Sequence, residues 1–162
     1  MWDHPFSGHA LCTADAKGRL RLPSFIVDVL ERRSAGTLVM VGIHEVLPCL
    51  TAFDRGHLRW IYAESERLRL RFESSADSHR LHAAKLHRLF GMLEEAPLDA
   101  AGHVRLSPVM RRLGRIGLSA LIVGTGGAFE IWDPEQALES GDPCLRELAG
   151  LCAPMATTEQ VR

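Results

Sequence analysis

Asp15-Ala16-Lys17-Gly18-Arg19-Leu20-Arg21-Leu22-Pro23 is the stretch from which this chain is best read. Its pattern returns as Asp99-Ala100-Ala101-Gly102-His103-Val104-Arg105-Leu106-Ser107-Pro108. Asp at the first position and Gly at the fourth suit a type I turn whose Gly takes a positive φ and leads into a strand. Each copy therefore reads as a hairpin tip. Beyond the Gly the residues alternate, so Arg19 and Arg21 project to one side and Leu20 and Leu22 to the other, with His103 and Arg105 set likewise against Val104 and Leu106. Pro23 or Pro108 then opens a short helix, where a missing N–H is harmless. Turn, strand and helix start form one unit used twice.

Moving outward, 162 residues with 46% hydrophobic and 24% charged composition fit one globular domain or two small ones sharing a core. A formal net charge of −1 excludes a chain coated in positive charge, so any nucleic-acid contact must come from a local patch. Such patches exist. Lys17, Arg19 and Arg21 are close together in the first copy, and no acidic residue falls between Ala100 and Phe129, a span that holds Arg105, Arg111, Arg112 and Arg115. The cysteines Cys12, Cys49, Cys144 and Cys152 lack metal-ligand spacing and read as reduced packing residues. With neither signal peptide nor membrane span, the protein is expected to be soluble and intracellular.

In order along the chain, residues 1–5 are expected to be frayed, and Phe6 to Thr13 reads as a strand that pairs with Arg19 to Leu22 across the first turn. A helix starts at Ser24, with Ile26, Val29 and Leu30 on one face and Arg32, Arg33 and Gly36 at its end. Thr37 to Ile43 and Leu47 to Phe53 form a second hairpin. Asp54 is placed to cap a helix carrying Leu58, Ile61, Tyr62, Ser65, Leu68 and Phe72, despite the strand-like alternation of Arg67 to Phe72. After a break at Ser74 to Ser78, a helix from about His79 to Phe90 completes a helical hairpin closed by Gly91. Following the second turn, Ser107 caps a helix bearing Val109, Leu113 and Ile116, which Gly117 closes. Leu121 to Val123 and Phe129 to Trp132 then echo the earlier hairpin, with Phe129-Glu130-Ile131-Trp132-Asp133 matching Leu50-Thr51-Ala52-Phe53-Asp54. A last helix runs from Pro134 to Leu138 and on through Cys144 to Leu151, before ten residues expected to be disordered.

These motifs, together with Phe6-Ser7-Gly8 and Pro48-Cys49-Leu50, resemble the MraZ family of bacterial transcriptional regulators of the division and cell wall gene cluster. The resemblance covers residues 6–139. It implies an α+β fold of two tandem SpoVT-AbrB-like units, 6–53 and 92–139, packed into one pseudo-symmetric barrel. The helical hairpin, 54–91, is inserted between them, and 140–162 form a C-terminal helix and disordered tail. It also implies a ring-shaped homo-oligomer that binds short repeated boxes in double-stranded promoter DNA as a cytoplasmic, nucleoid-associated repressor. The family's D-x-x-x-R motif is associated with DNA contact. Asp15 and Arg19 match it, whereas the second copy keeps Asp99 but has His103 at the Arg position.

On chemical grounds Arg19 is the expected base contact, since its planar fork can engage two acceptors of guanine. Lys17, Arg21 and Arg105 suit phosphates. Asp15, Gly18, Asp99 and Gly102 form the turns, and Arg111, Arg112 and Arg115 suit phosphates or a solvated face equally. A neutral imidazole cannot replace a guanidinium, so His103 is expected to contribute when protonated, with affinity rising below about pH 6.5. An oligomeric assembly protein of the same fold that has lost DNA binding is the alternative. Catalysis is not expected: His79, His82 and His87 lack acidic or Cys partners, Gly124-Thr125-Gly126-Gly127 lacks the rest of a phosphate loop, and no nucleophile and base are suggestively spaced. No cofactor, metal, membrane or small-molecule substrate is expected.

Overall fold

Both turns form in the computed structural model, which describes residues 3–34, 38–71 and 75–159, with side chains as far as Cys152. Gly18 and Gly102 have φ of +81° and +83°. Around them the chain forms β1 (His9–Thr13), β2 (Arg19–Arg21), α1 (Ser24–Ser34), β3 (Leu38–Ile43), β4 (Leu50–Asp54), α2 (Arg55–Arg71) and α3 (Ala76–Leu89). The second half adds β5 (Glu94–Pro97), β6 (His103–Arg105), α4 (Pro108–Gly114), β7 (Ser119–Gly124), β8 (Phe129–Trp132), α5 (Pro134–Leu138) and α6 (Pro143–Glu159). The alternating Arg67 to Arg71 is helical, because the apolar periodicity that precedes it propagates the helix. Gly36, Thr37 and Phe72 fall outside the described residues.

Strand pairing differs from the expected first hairpin. β1 and β2 share one bridge, Ala14 to Leu20, and diverge; β1 pairs with β7, and β2 pairs with β6. The result is an antiparallel six-stranded sheet in the order β1-β7-β8-β4-β3-β5, beside a two-stranded β2-β6 ribbon. The order reads equivalently from either edge, since β1, β7 and β8 are the counterparts of β5, β3 and β4. The register obeys the same symmetry: Leu20 faces Val104 in the ribbon, and Thr51 faces Glu130 where β4 meets β8. Each half thus lends its outer strand to the other half's hairpin. The ladders leave an open sheet, whose edge strands each touch the ribbon through a single bridge, Ala14 to Leu20 and Leu98 to Val104.

Inside, Leu20, Ile26, Leu30, Val39, Leu50, Val104, Met110, Ile122 and Phe129 form one core shared by both halves. Each such burial contributes about 1.5–3 kcal/mol. Trp132, Leu121, Leu145, Ala149 and Cys152 form a second cluster that fastens α5 and α6 to the sheet. Asp54, the residue before α2, turns one carboxylate oxygen inward. Its Oδ1 accepts from Arg33 Nη1 at 3.1 Å in a buried pair, and Arg33 also donates to the carbonyls of His4, Gly126 and Gly127. The contact to His4 ties down a terminal segment expected to fray.

Other helix boundaries also differ from the sequence pattern. α4 has the expected Ser107 cap, whose Oγ accepts from Met110 N, but it ends at Gly114, and Arg115 takes the left-handed turn with φ +55°. Gly114 serves packing instead: a Cβ there would lie 2.7 Å from Leu50 Cγ. α5 and α6 are separate helices, since Asp142 Oδ1 accepts from Cys144 N at 2.9 Å and Pro143 opens the new helix. α6 continues to Glu159, into the stretch expected to be disordered. Cys12, Cys49 and Cys152 are buried free thiols, whereas Cys144 is exposed and packs no core. No helix among the described residues is long and apolar enough to cross a membrane.

Candidate nucleic-acid interface

The first tip is built by one carboxylate. Asp15 Oδ1 accepts the backbone N–H groups of Lys17 and Arg19, both at 2.9 Å, while its carbonyl accepts from Gly18 N. Asp15 Oδ2 accepts from Arg19 Nε at 2.6 Å, so the carboxylate orients the guanidinium as well as the loop. The backbone and side-chain hydrogen bonds from Arg19 hold the Asp15 carboxyl down at about 2. Arg19 remains about half exposed, with a side-chain exposure of 53%. Its Nε is engaged, and the two terminal nitrogens form the fork that remains.

The second tip repeats the backbone design. Asp99 Oδ1 accepts from Ala101 N and His103 N, Asp99 O accepts from Gly102 N, and Asp99 N donates to His103 O. The backbone N–H of His103 is the main cause of the lowered Asp99 carboxyl. The side-chain contact is weaker, with His103 Nδ1 at 3.4 Å from Asp99 Oδ1. Between the tips, Leu22 N donates to Gly102 O and Leu106 N donates to Gly18 O, so each turn is stitched to the other copy's strand.

The ribbon then brings together residues far apart in sequence. Arg19 lies directly opposite Arg105, and Arg21 opposite His103. All four alternate with the buried Leu20 and Val104, so they share the outward face. Like charges directly opposite in a sheet oppose pairing. Asp15 offsets one of them, but among the described residues Arg21 and Arg105 make no salt bridge. Lys17 sits exposed at the tip beside this cluster. The arrangement presents a cationic strip whose repulsion an anion would relieve.

Three basic residues considered with this site separate in space. Arg111 donates from Nη1 to Ala16 O at 3.1 Å, beneath the first tip. Arg112 is exposed on α4, and Arg115 closes that helix. Sequence reasoning missed the tip-supporting place of Arg111. A signal was available: when the two turns are superposed, Arg111 aligns with Val27, a change of character within a duplicated framework. Among the described residues no group of three or more His, Cys, Asp or Glu could hold a metal ion.

A duplicated α+β framework with interlocked halves and one exposed cationic ribbon defines a class of protein made for presenting paired β tips. No family model matches the chain. It is 31% identical to the transcriptional regulator MraZ of Xylella fastidiosa over 146 residues, covering 85% of this chain and 93% of the relative. It is also 31% identical to MraZ of Pseudomonas savastanoi pv. phaseolicola, with 97% of each chain covered, and 33% identical to that of Pseudomonas aeruginosa over 131 residues, with 80% and 81% covered. The chain belongs to the MraZ family of transcriptional regulators.

Proposed function

We propose that this protein is a sequence-specific DNA-binding repressor that reads short repeated boxes in a promoter of the division and cell wall cluster. The observation that carries the reading is the face-to-face placement of Arg19 with Arg105 and Arg21 with His103 on an exposed ribbon between the two tips. Arg19, oriented by Asp15, makes the base contact through its terminal fork. Lys17, Arg21 and Arg105 bind phosphates, and His103 contributes a weaker contact. Asp15, Gly18, Asp99 and Gly102 shape the two tips. In this reading the ribbon closes the six-stranded sheet into a pseudo-symmetric barrel, and no catalysis is involved.

A single ribbon offers few contacts, so function requires several copies on adjacent boxes, which raises the effective concentration of each further contact. The helical hairpin supports assembly into a ring. α3 has no fully buried residue, and Tyr62, Leu70 and Leu81 are 59%, 75% and 73% exposed. A hairpin with so little of its apolar surface covered gains stability by packing against another subunit. The assembled protein acts in the cytoplasm, on the nucleoid.

Footprinting upstream of its own gene tests the reading. Arg19→Ala is expected to lower specific affinity about 10- to 100-fold, the equivalent of about 1–3 kcal/mol of base discrimination, with thermal stability unchanged. Unchanged promoter affinity refutes the assigned contact. Log affinity is expected to fall with log salt at about −0.9 per phosphate contact, and a flat response refutes those contacts. An intact oligomer that leaves its own promoter unprotected would establish the assembly role instead.

A further inference from the structure

The two tips have the same backbone but stand on different supports. Beneath the first, a Cβ at Gly18 would lie 2.7 Å from Arg111 Cδ, while Arg111 Nη1 donates to Ala16 O at 3.1 Å. Beneath the second, a Cβ at Gly102 would meet Val27 Cγ2 at 3.5 Å. Arg111 lies in α4 of the second half and Val27 in α1 of the first, at equivalent positions. An apolar methyl can pack against a turn, but it cannot hydrogen-bond the turn's carbonyl. Among the described residues only the Arg19 tip has that clamp.

We propose that Arg111 is a positioning residue for Arg19: its stem fills the space under Gly18 and its guanidinium clamps Ala16 O, holding the first tip in the shape that presents the Arg19 fork. This deepens the DNA-binding reading and rests on it for its consequence, but the clamp itself exists in the free protein. Pre-organisation of this kind reduces the ordering cost of recognition. The second tip, without the clamp and with His103 for Arg, is the adaptable one of the pair.

Residue-resolved amide exchange on the DNA-free full chain tests the clamp directly. Arg111→Met keeps an apolar stem and removes the donor. Exchange at Gly18 and Arg19 is expected to speed up about three- to tenfold, the loss of roughly one hydrogen bond, with Gly102 and His103 unchanged. Arg111→Lys, which keeps a donor, is expected to preserve protection. No change at Gly18 and Arg19 in Arg111→Met, or equal change at both tips, overturns the proposal. On promoter DNA, the loss caused by Arg111→Met should shrink below about twofold in the Arg19→Ala background, because both act through one side chain. Full additivity, or a salt slope reduced by about 0.9, would make Arg111 a phosphate contact and not a positioner. If the wild type fails to bind promoter DNA, the functional reading falls while the exchange result still decides the clamp.

Discussion

The first and second halves of this protein share turns, strands and register, yet they differ at two places where charge replaces neutral packing. At the tips, Arg19 of the first half rests on Arg111 of the second, whereas His103 of the second half rests on Val27 of the first. Behind the sheet, Asp54 is buried against Arg33, whereas its counterpart Asp133 makes no side-chain capping bond and is half-buried. The two frameworks are equivalent, and the differences lie in side chains whose change leaves backbone hydrogen bonds intact. The inward pair lies wholly in the first half, whereas the outward one joins Arg19 of the first half to Arg111 of the second.

The largest expected effect breaks the inward difference. Asp54→Ala removes the carboxylate that faces the buried Arg33 guanidinium and leaves that charge to its carbonyl acceptors; it is expected to destabilise by about 3–5 kcal/mol, against under about 1 kcal/mol for Asp133→Ala, measured by denaturant unfolding. Equal losses would show that the ion pair is not what separates the halves. Next come the turn glycines. Both take positive φ, so Ala is strained at each, but at Gly18 a Cβ would also lie 2.7 Å from Leu106 O, a backbone atom that cannot step aside. Gly18→Ala is expected to cost about 2–4 kcal/mol and Gly102→Ala about 1–2 kcal/mol in the same measurement.

A smaller effect would sharpen the outward difference. His103→Arg gives the second tip the same motif as the first and is expected to raise promoter affinity about three- to tenfold in an anisotropy titration. No gain would mean that the second tip does not approach DNA. The smallest effect is in acid. Because the folded Asp15 carboxyl is depressed to about 2 by the hydrogen bonds from Arg19, its contribution is fully present above the unfolded carboxylate value near pH 4 and is lost as pH falls towards 2. NMR titration of Asp15 is expected to show its midpoint rise in Arg19→Ala. A midpoint unmoved by that substitution would assign the depression to the backbone alone.

Much of this was legible in the residues. The turns follow from Asp and Gly at fixed offsets, the two faces of β2 and β6 from alternation, and the helix α2 from a periodicity long enough to override the Arg-Leu repeat. The ending of α4 was not, because Gly114 looks like a helix interior residue until Leu50 is seen against it. Nor was the Arg33–Asp54 pair: an Arg closing a helix and an Asp preceding one have ordinary local explanations that compete with a partner 21 positions away.

By itself, then, the order of amino acids determined the repeated unit, its turns, its buried and exposed faces and the identity of the cations. Turn geometry and side-chain alternation act over a few residues, so local sequence suffices for them. Only the tertiary structure decided that β2 leaves β1 to pair with β6, and hence that Arg19 faces Arg105. A strand's edge can accept any partner of matching register, and the choice between its own half and the other is made by the shared core in which Leu20 meets Val104.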